Sequence, residues 1–288
     1  MSDVTRRTLI DAYSPAEMAG RVVDVGVAKA RLTLPDTLAL SMLAGAFIAV
    51  GGALATLAMT ETGLGLGPTR VLGGATFSIG LILVVVAGAE LFTGNNLVAM
   101  AWASRLISTA ALLRNWVLVF AGNFVGATAT AVLMFWSGTW SVGGDAVGLT
   151  AISIGAAKTQ LGFEEAFVRG VLCNALVCLA VWLCFSGRST TDKILAIILP
   201  ITAFVALGFE HSIANMYFIP YAMLLSSDAD LMASATSAGV SIDTLTVPGL
   251  LDNLIPVTLG NIVGGTLLVA GIYWFVYLRG AVSESRSQ

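Results

Sequence analysis

The chain has 288 residues, of which 57% are hydrophobic and 11% are charged, and its formal net charge is −3. Ordinary soluble domains hold about 45–50% apolar and about 25% charged residues, so the composition argues against a soluble enzyme. Lys and Arg form no basic face, which excludes nucleic acid as a partner. Apolar runs of about 20 residues predict membrane spans instead.

The chain opens with a mixed segment, residues 1–35, that we predict to be cytoplasmic. Within it, Ser14–Arg31 begins with SPAE, which is typical of a helix N-cap followed by Pro and by an acid in the first turn. We therefore expect an amphipathic helix before the first span. At the other end, residues 280–288 are polar, and we expect a disordered cytoplasmic tail.

Residues 36–279 read as an all-α membrane domain with six predicted transmembrane helices. The spans are Asp36–Met59, Leu72–Ala103, Leu113–Gly138, Gly162–Phe185, Lys193–Leu225 and Leu250–Leu278. The second helix is interrupted by GAELFTGNN (Gly88–Asn96), and the fifth contains Pro200, Gly208 and Pro220. Both helices are therefore expected to be broken.

The distribution of cations predicts the orientation of these spans. Of the 14 Lys and Arg residues, all but Arg70, Lys158 and Arg169 flank one side of the predicted membrane. The cation-rich side is the cytoplasmic one, which places both termini in the cytoplasm. The loop at residues 226–249 has no Lys or Arg and is predicted to lie outside.

The third and sixth spans share an internal repeat. Asn115–Thr128 reads NWVLVFAGNFVGAT, and Asn253–Thr266 reads NLIPVTLGNIVGGT, so half of the aligned positions are identical. Because three spans separate the copies, the halves would enter the membrane from opposite sides, as a 3+3 inverted repeat.

The two interruptions carry matching residues as well. Glu90 precedes Asn95 by five residues, and Glu210 precedes Asn215 by the same spacing. Non-helical backbone at bilayer depth is tolerated where it is buried in protein or lines a cavity, so the paired breaks predict one midplane site. The alternative is that Gly and Pro only kink packed spans.

We expect Glu90 and Glu210 to accept hydrogen bonds from backbone amides of the broken segments, because an unpaired carboxylate in hydrocarbon is costly. Together with Asn95 and Asn215 they are predicted to support the breaks. Their role in this interpretation is structural.

His211, the one histidine of the chain, lies in GFEHSIANM beside a break. An ionisable residue at membrane depth indicates function, and imidazole, whose pKa is ordinarily about 6.5, exchanges protons at physiological pH. A purely structural hydrogen bond to a freed carbonyl is the alternative. Thr93, in ELFTG, has a hydroxyl that can bind a small solute or the imidazole, or cap the helix that follows.

Lys158 and Asn174 are two further polar candidates. On one continuous helix they would lie roughly 24 Å apart, so cooperation between them requires the Lys158 segment to fold inward. A solvated loop lysine is the alternative.

Apolar side chains flank the predicted site. Phe204 lies about two turns before His211, and Phe77 and Leu81 share a helix face that leads toward Leu91. Apolar rings before a polar site would exclude hydrated ions, although each residue is also compatible with ordinary packing.

The strings AELFTGNN, GVLCNALVCLAVWL, SGRSTTDK, GFEHSIANMYFIP and DNLIPVTLGNIVGG together resemble the formate/nitrite transporter family. The resemblance implies a homopentamer of aquaporin-like six-span protomers in a prokaryotic inner membrane, each with a pore for a small monovalent anion. It implies pathway roles for His211, Thr93, Lys158 and Asn174, and apolar constrictions at Phe77, Leu81, Leu91 and Phe204.

The resemblance leaves the anion open. GFEHSIANMYFIP and DNLIPVTLGN look like formate channels, which makes formate the first expectation, whereas FTGNN and AAKT look like nitrite-type members. Hydrosulfide and short-chain carboxylates are further alternatives. Permeation is expected to be either proton-linked or pH-gated through His211.

Two other classes of function are less well supported. A water or glycerol pore usually has paired NPA strings at its breaks, and this sequence has none. An enzyme is not expected, since a single His without neighbouring Cys or His forms no metal set and no GxSxG occurs. We predict neither a metal nor a cofactor.

Overall fold

The computed structural model describes residues 12–280, a range that is helical and contains no β-strand. The first half contains α1 (Pro15–Ala30), α2 (Leu34–Met59), α3 (Leu66–Ala87), α4 (Ala99–Ala103) and α5 (Thr109–Trp136). The second half contains α6 (Ala146–Thr159), α7 (Phe163–Cys184), α8 (Thr190–Ala206), α9 (Ser212–Leu225), α10 (Ala229–Ser237), α11 (Val247–Val263) and α12 (Ile272–Tyr277). Of the predicted tail, residues 281–288 lie outside the described range, as do residues 1–11 at the N-terminus.

Within the described range, five helices are long and apolar enough to cross a membrane. They are α2, α3, α5, α7 and the continuous run Val247–Tyr277, in which a π-helical segment, Gly264–Gly271, joins α11 to α12. The shorter helices α8 and α9 follow one another across a break of five residues. These lengths fit a multi-pass membrane protein.

Helices α1 and α8 begin with the same capping device. The Ser14 hydroxyl accepts from the backbone N–H of Glu17, while the Glu17 carboxylate accepts from the Ser14 hydroxyl and backbone N–H. These bonds lower the pKa of the exposed Glu17 carboxyl. Ser189 and Asp192 repeat the arrangement at the start of α8. Each of these reciprocal arrangements, known as capping boxes, satisfies backbone groups that the first helical turn leaves free.

Close backbone packing explains the glycines of the repeated motif GNxxG. A Cβ atom at Gly126 would lie 1.9 Å from the carbonyl oxygen of Met42, so α5 lies directly against α2. A Cβ atom at Gly264 would lie 2.1 Å from the carbonyl oxygen of Val171, so the last span packs in the same way against α7. Small residues permit such close approach where no hydrophobic effect drives association.

Two left-handed glycines end the first parts of the broken helices. Gly88, with φ 83°, follows α3, and Gly208, with φ 72°, follows α8. This conformation costs glycine little because it has no Cβ. Pro200 and Pro220, which we also placed among the interruptions, lie inside α8 and α9 and end neither helix.

We expect Gly126→Ala to destabilise the protein, because its methyl group would overlap the Met42 carbonyl. Overpacking of this kind typically costs about 1–3 kcal/mol. The measurement is the thermal midpoint of the detergent-solubilised protein, followed by size-exclusion chromatography. Gly20→Ala is the matched control, since a Cβ at that helical position meets nothing within 4 Å. Equal midpoints for both variants would contradict the packing assigned to the motif.

Candidate functional site

The two chain breaks meet at one buried contact. The Thr93 hydroxyl, from the break after α3, lies 2.9 Å from Nε2 of His211, from the break after α8. Both residues are buried. The structure thus brings together the two segments whose interruptions indicated a common site.

Hydrogen bonding fixes the protonation of the His211 ring. Its Nδ1 accepts from the backbone N–H of Ala214 at 3.1 Å and caps the first turn of α9. A backbone N–H can only donate, so Nδ1 carries no proton and the proton of the neutral ring resides on Nε2. His211 therefore donates to the Thr93 oxygen. Thr93, by contrast, makes no side-chain cap for the helical turn that follows it.

Two asparagines of the GNxxG motif clamp the broken backbone. Asn261 donates to the carbonyl oxygens of Gly170 and Glu210, at 2.8 and 2.9 Å, and accepts from the backbone N–H of Ser212 at 2.9 Å. Asn123 makes the corresponding bonds in the first half. Each side chain thus satisfies two backbone groups of a break, and it also donates to a carbonyl oxygen of a neighbouring helix, Gly170 in α7 or Ser41 in α2.

Contrary to the expectation from the sequence, neither Glu90 nor Glu210 accepts a hydrogen bond from a backbone amide within residues 12–280. Instead, Glu90 binds the Lys29 ammonium at 2.7 Å and the Asn95 amide at 2.7 Å. Glu210 binds the Lys158 ammonium at 3.0 Å and the amide of Asn215 at 2.6 Å. A carboxylate with little access to water is stabilised best by an opposite charge together with a hydrogen bond, which each cluster supplies.

A second asparagine completes each cluster. Asn115 accepts from Asn95 at 3.0 Å and donates to the Lys29 carbonyl oxygen at 3.4 Å. Asn253 makes the equivalent contacts with Asn215, at 2.7 Å, and with the Lys158 carbonyl oxygen, at 2.9 Å. We call these sets the Lys29 cluster and the Lys158 cluster. Both lysines are largely buried, with 26% and 15% of their side-chain surfaces exposed.

From the sequence we predicted no functional role for Lys29. The signal was nevertheless present, because the string A-K-x-x-L occurs at Ala28–Leu32 and again at Ala157–Leu161, before the first and fourth spans. The repeat that we traced through the third and sixth spans extends to these helices. It marks Lys29 as the counterpart of Lys158.

Lys158 lies on α6, a helix separate from the α7 helix that carries Asn174, so the two residues are not related by a single helix axis. The Asn174 amide donates to the carbonyl oxygens of Thr93 and Asn261, at 3.2 and 2.7 Å. Within the described chain, Lys158 and Asn174 share no hydrogen-bond partner. Asn174 supports the Thr93 segment, whereas Lys158 faces a cavity.

Two cavities approach the Thr93–His211 contact. The larger, of about 500 Å³, is lined by Lys29, Arg21 and Lys193, and we call it the Lys29 cavity. The smaller, of about 210 Å³, is lined by Lys158 and His211, and we call it the Lys158 cavity. In the part of the chain that the structure describes, no residue lines both cavities.

The four predicted constriction residues are buried and are divided between the cavities. Leu81 and Leu91 line the Lys29 cavity. Phe77 and Phe204 line the Lys158 cavity, with their ring centroids 5.6 Å apart, and the Phe204 ring stacks 5.9 Å from that of His211. An apolar layer therefore separates two cation-lined cavities.

Known proteins have sequences similar to that of this chain. Residues 16–275 match the family described as Formate/nitrite transporter. Formate channel FocA of Escherichia coli (strain K12) is 42% identical over 273 residues, which cover 93% of this chain and 96% of that protein. A Methanothermobacter thermautotrophicus protein described as a probable formate transporter is 40% identical over 283 residues, which cover 92% and 97% of the respective chains.

Solved structures share the fold. A structure described as a pentameric formate channel with formate bound aligns with a TM-score of 0.76 at 38% identity, covering 85% of this chain and 98% of that one. A second, described as an FNT family ion channel, aligns with a TM-score of 0.78 at 30% identity, covering 90% and 98%. These proteins are channels and transporters, which confirms the prediction of a transport protein rather than an enzyme.

We expect Asn261→Ala to lower the free energy of unfolding by at least about 2 kcal/mol, because it leaves two backbone groups of the break, the Glu210 carbonyl and the Ser212 N–H, without this partner, each costing about 1–3 kcal/mol. The midpoint of chemical or thermal unfolding in detergent measures the loss. Thr258→Val, on the same helix, is the control, since the buried Thr258 hydroxyl has no partner within residues 12–280. Similar losses in both variants would refute the clamp.

Proposed function

The chain belongs to the formate/nitrite transporter family, as its sequence motifs indicated, and on that premise we propose that it carries a small monovalent weak-acid anion, formate first among them, across a membrane. The observation that carries this proposal is the Thr93–His211 contact, which lies at an apolar barrier between two cation-lined cavities. A relative described as a formate channel, at 42% identity, and one described as a probable formate transporter, at 40% identity, support the choice of formate.

The architecture belongs to the same proposal. We infer six spans in a 3+3 inverted repeat with an aquaporin-like arrangement, in which α8 and α9 together form the fifth span. The equivalent contacts of the Lys29 and Lys158 clusters support this symmetry. The cation count supports a cytoplasmic side for both termini, and the proposal assigns residues 1–35 to that side and residues 36–279 to a transport domain in a prokaryotic inner membrane.

Assembly as a homopentamer, with one pathway per protomer, is proposed from the structural neighbour described as pentameric. Large apolar side chains such as Leu199 and Trp136 are exposed on the single chain. Contact with lipid or with other subunits would remove them from water. The pathway itself lies within one chain, because both breaks and both cavities are formed by it.

Permeation through this barrier is a problem of charge. A bare anion is far more costly to move into an apolar layer than its neutral acid. Lys29 and Lys158 neutralise the carboxylates of Glu90 and Glu210, which would otherwise repel anions. The further cations that line the two cavities, Arg21 and Lys193 in one and Arg70 in the other, raise the concentration of anions there. The N-terminus of α9, capped by His211, adds a positive partial charge at the barrier. The neutral acid would then pass Phe204 on one side and Leu91 on the other.

His211 is the proposed proton-handling group, and its geometry constrains how it acts. In the neutral ring, Nε2 donates to Thr93 and Nδ1 is occupied by the Ala214 N–H. To act as an acid, the ring must first become imidazolium, which requires a proton on Nδ1 and breaks the cap of α9. The imidazolium can then pass its Nε2 proton to an anion oxygen, which leaves a neutral ring and a neutral acid.

The same step yields two forms of the proposal. If the anion leaves with the proton, transport is proton-linked and electroneutral. If protonation only loosens the first turn of α9, His211 acts as a pH gate and the anion carries current. In both forms the pH dependence of transport originates at His211. Nitrite, which the family description includes, is the main alternative substrate.

Proteoliposomes containing the protein should take up formate faster than protein-free vesicles, at both pH 5 and pH 7. The measurement is a flux panel of formate, nitrite, hydrosulfide, acetate and lactate, recorded together with membrane current. Flux with current supports a channel, and flux without current supports proton linkage. Water or glycerol permeation without any anion flux would refute the proposed function.

His211→Asn should abolish the difference in formate flux between pH 5 and pH 7 while preserving assembly. The asparagine oxygen can still cap α9, but the side chain does not titrate. His211→Phe removes the cap as well as the ring nitrogens, so comparing the two variants separates support of the helix from proton chemistry. An unchanged pH profile in a pentameric His211→Asn protein would contradict the role of the imidazole.

A further inference from the structure

Three cations converge on the mouth of the Lys158 cavity. Arg70, Lys158 and Arg169, the same three that the sequence count separated from the other Lys and Arg residues, all line it. They come from α3, α6 and α7, so only the tertiary structure brings them together.

Two of these cations are neutralised by carboxylates. Lys158 is paired with Glu210 at 3.0 Å, and Arg169 is paired with Glu165 one turn away on α7. Arg70 differs, because among residues 12–280 no carboxylate lies within the 4.0 Å of an ion pair. It contributes the uncompensated positive charge of this mouth.

Arg70 is held at the mouth by the end of α8. Its Nη1 donates to the carbonyl oxygen of Ala206 at 3.4 Å, and a Cβ atom at Gly208 would lie 3.0 Å from the same nitrogen. Arg169 donates to the carbonyl oxygen of Gly208 at 3.2 Å. The free carbonyls of a helix C-terminus repel anions, and the two guanidinium groups cover them.

Among residues 12–280, no guanidinium group lies at the corresponding turn in the other half. A Cβ atom at Gly88, which ends α3 at the Lys29 cavity, would meet nothing within 4 Å. The two mouths are therefore not equivalent, although the Lys29 and Lys158 clusters behind them are.

We propose that Arg70 captures the anion at the mouth of the Lys158 cavity and selects anions that present two oxygens. Within the described chain, only Nη1 of its guanidinium makes a hydrogen bond, so the other N–H groups are available to a ligand. Parallel N–H groups bind a planar two-oxygen anion, such as formate or nitrite, in a bidentate manner, whereas hydrosulfide offers one acceptor atom. This inference rests on the proposed function and deepens it.

The test is formate flux into proteoliposomes whose protein orientation is known from protease cleavage of the N-terminus. With formate supplied on the side of the Lys158 cavity at low salt, we expect Arg70→Gln to raise the half-saturating concentration by about threefold to tenfold. Maximal flux should be unchanged, and the difference should shrink at high salt, since exposed charges are screened. Formate supplied on the other side should show no difference.

Three further variants separate capture from structural support. Arg114→Gln is the matched control, because Arg114 is also exposed and donates to a carbonyl oxygen, that of Leu32 at 3.3 Å, but lines neither cavity. Glu165→Gln should lower the half-saturating concentration by releasing the charge of Arg169. Arg70→Lys should keep the salt dependence but lose the preference for formate over hydrosulfide, because an ammonium has no planar fork.

The proposal would be overturned if Arg70→Gln and Arg114→Gln had the same half-saturating formate concentration and the same salt dependence. That result would leave the proposed formate transport intact. If Arg70→Gln fails to assemble, Arg70→Lys becomes the deciding variant. An unchanged ratio of the half-saturating concentrations of formate and hydrosulfide in Arg70→Lys would overturn the proposed selection of two-oxygen anions. Absence of formate flux in the unmodified protein would overturn the proposed function and this inference with it.

Discussion

The structure depends on satisfying backbone groups at two helix breaks in an interior with little access to water. Each break frees N–H and C=O groups that would be costly if left unpaired. Asn123 and Asn261 each bind two of them and one carbonyl oxygen of a neighbouring helix. The adjacent glycines let these helices approach their neighbours closely enough for the contacts to form. The motif GNxxG therefore serves both packing and hydrogen bonding, which explains why it occurs once in each half.

Once the breaks are stable, the site follows from what they bring together. Thr93 and His211 come from different breaks and meet at 2.9 Å. The hydrogen bond from the Ala214 N–H to Nδ1 of His211 caps α9 and also sets the tautomer of the ring. The same nitrogen atom therefore determines both the start of the helix and the position of the imidazole proton. A histidine held this way is a neutral donor, and any acid chemistry requires the start of α9 to rearrange.

The charged groups follow the same symmetry, with one exception at the surface. In the Lys29 and Lys158 clusters, each lysine is matched by a carboxylate and two asparagines, which lets a cation lie beside an apolar barrier. At the mouths the halves differ, because arginines cover the end of α8, whereas among residues 12–280 nothing lies within 4 Å of a Cβ atom placed at Gly88, at the end of α3. The protein thus combines a nearly symmetric interior with an asymmetric pair of mouths.

Apolar length and repeated Asn and Gly are local patterns, so the sequence was sufficient to predict the class of protein and the place of both breaks, and its motifs were sufficient to predict the family. Only the tertiary structure decided the partners of Glu90 and Glu210, the role of Lys29 and the convergence of Arg70 with Arg169. The two ion pairs join residues 61 positions apart, in Lys29 and Glu90, and 52 positions apart, in Lys158 and Glu210. Hydropathy carries no information about which distant side chains meet. A carboxylate within an apolar stretch of sequence indicates that a partner must be present, but the identity of that partner depends on how the helices pack.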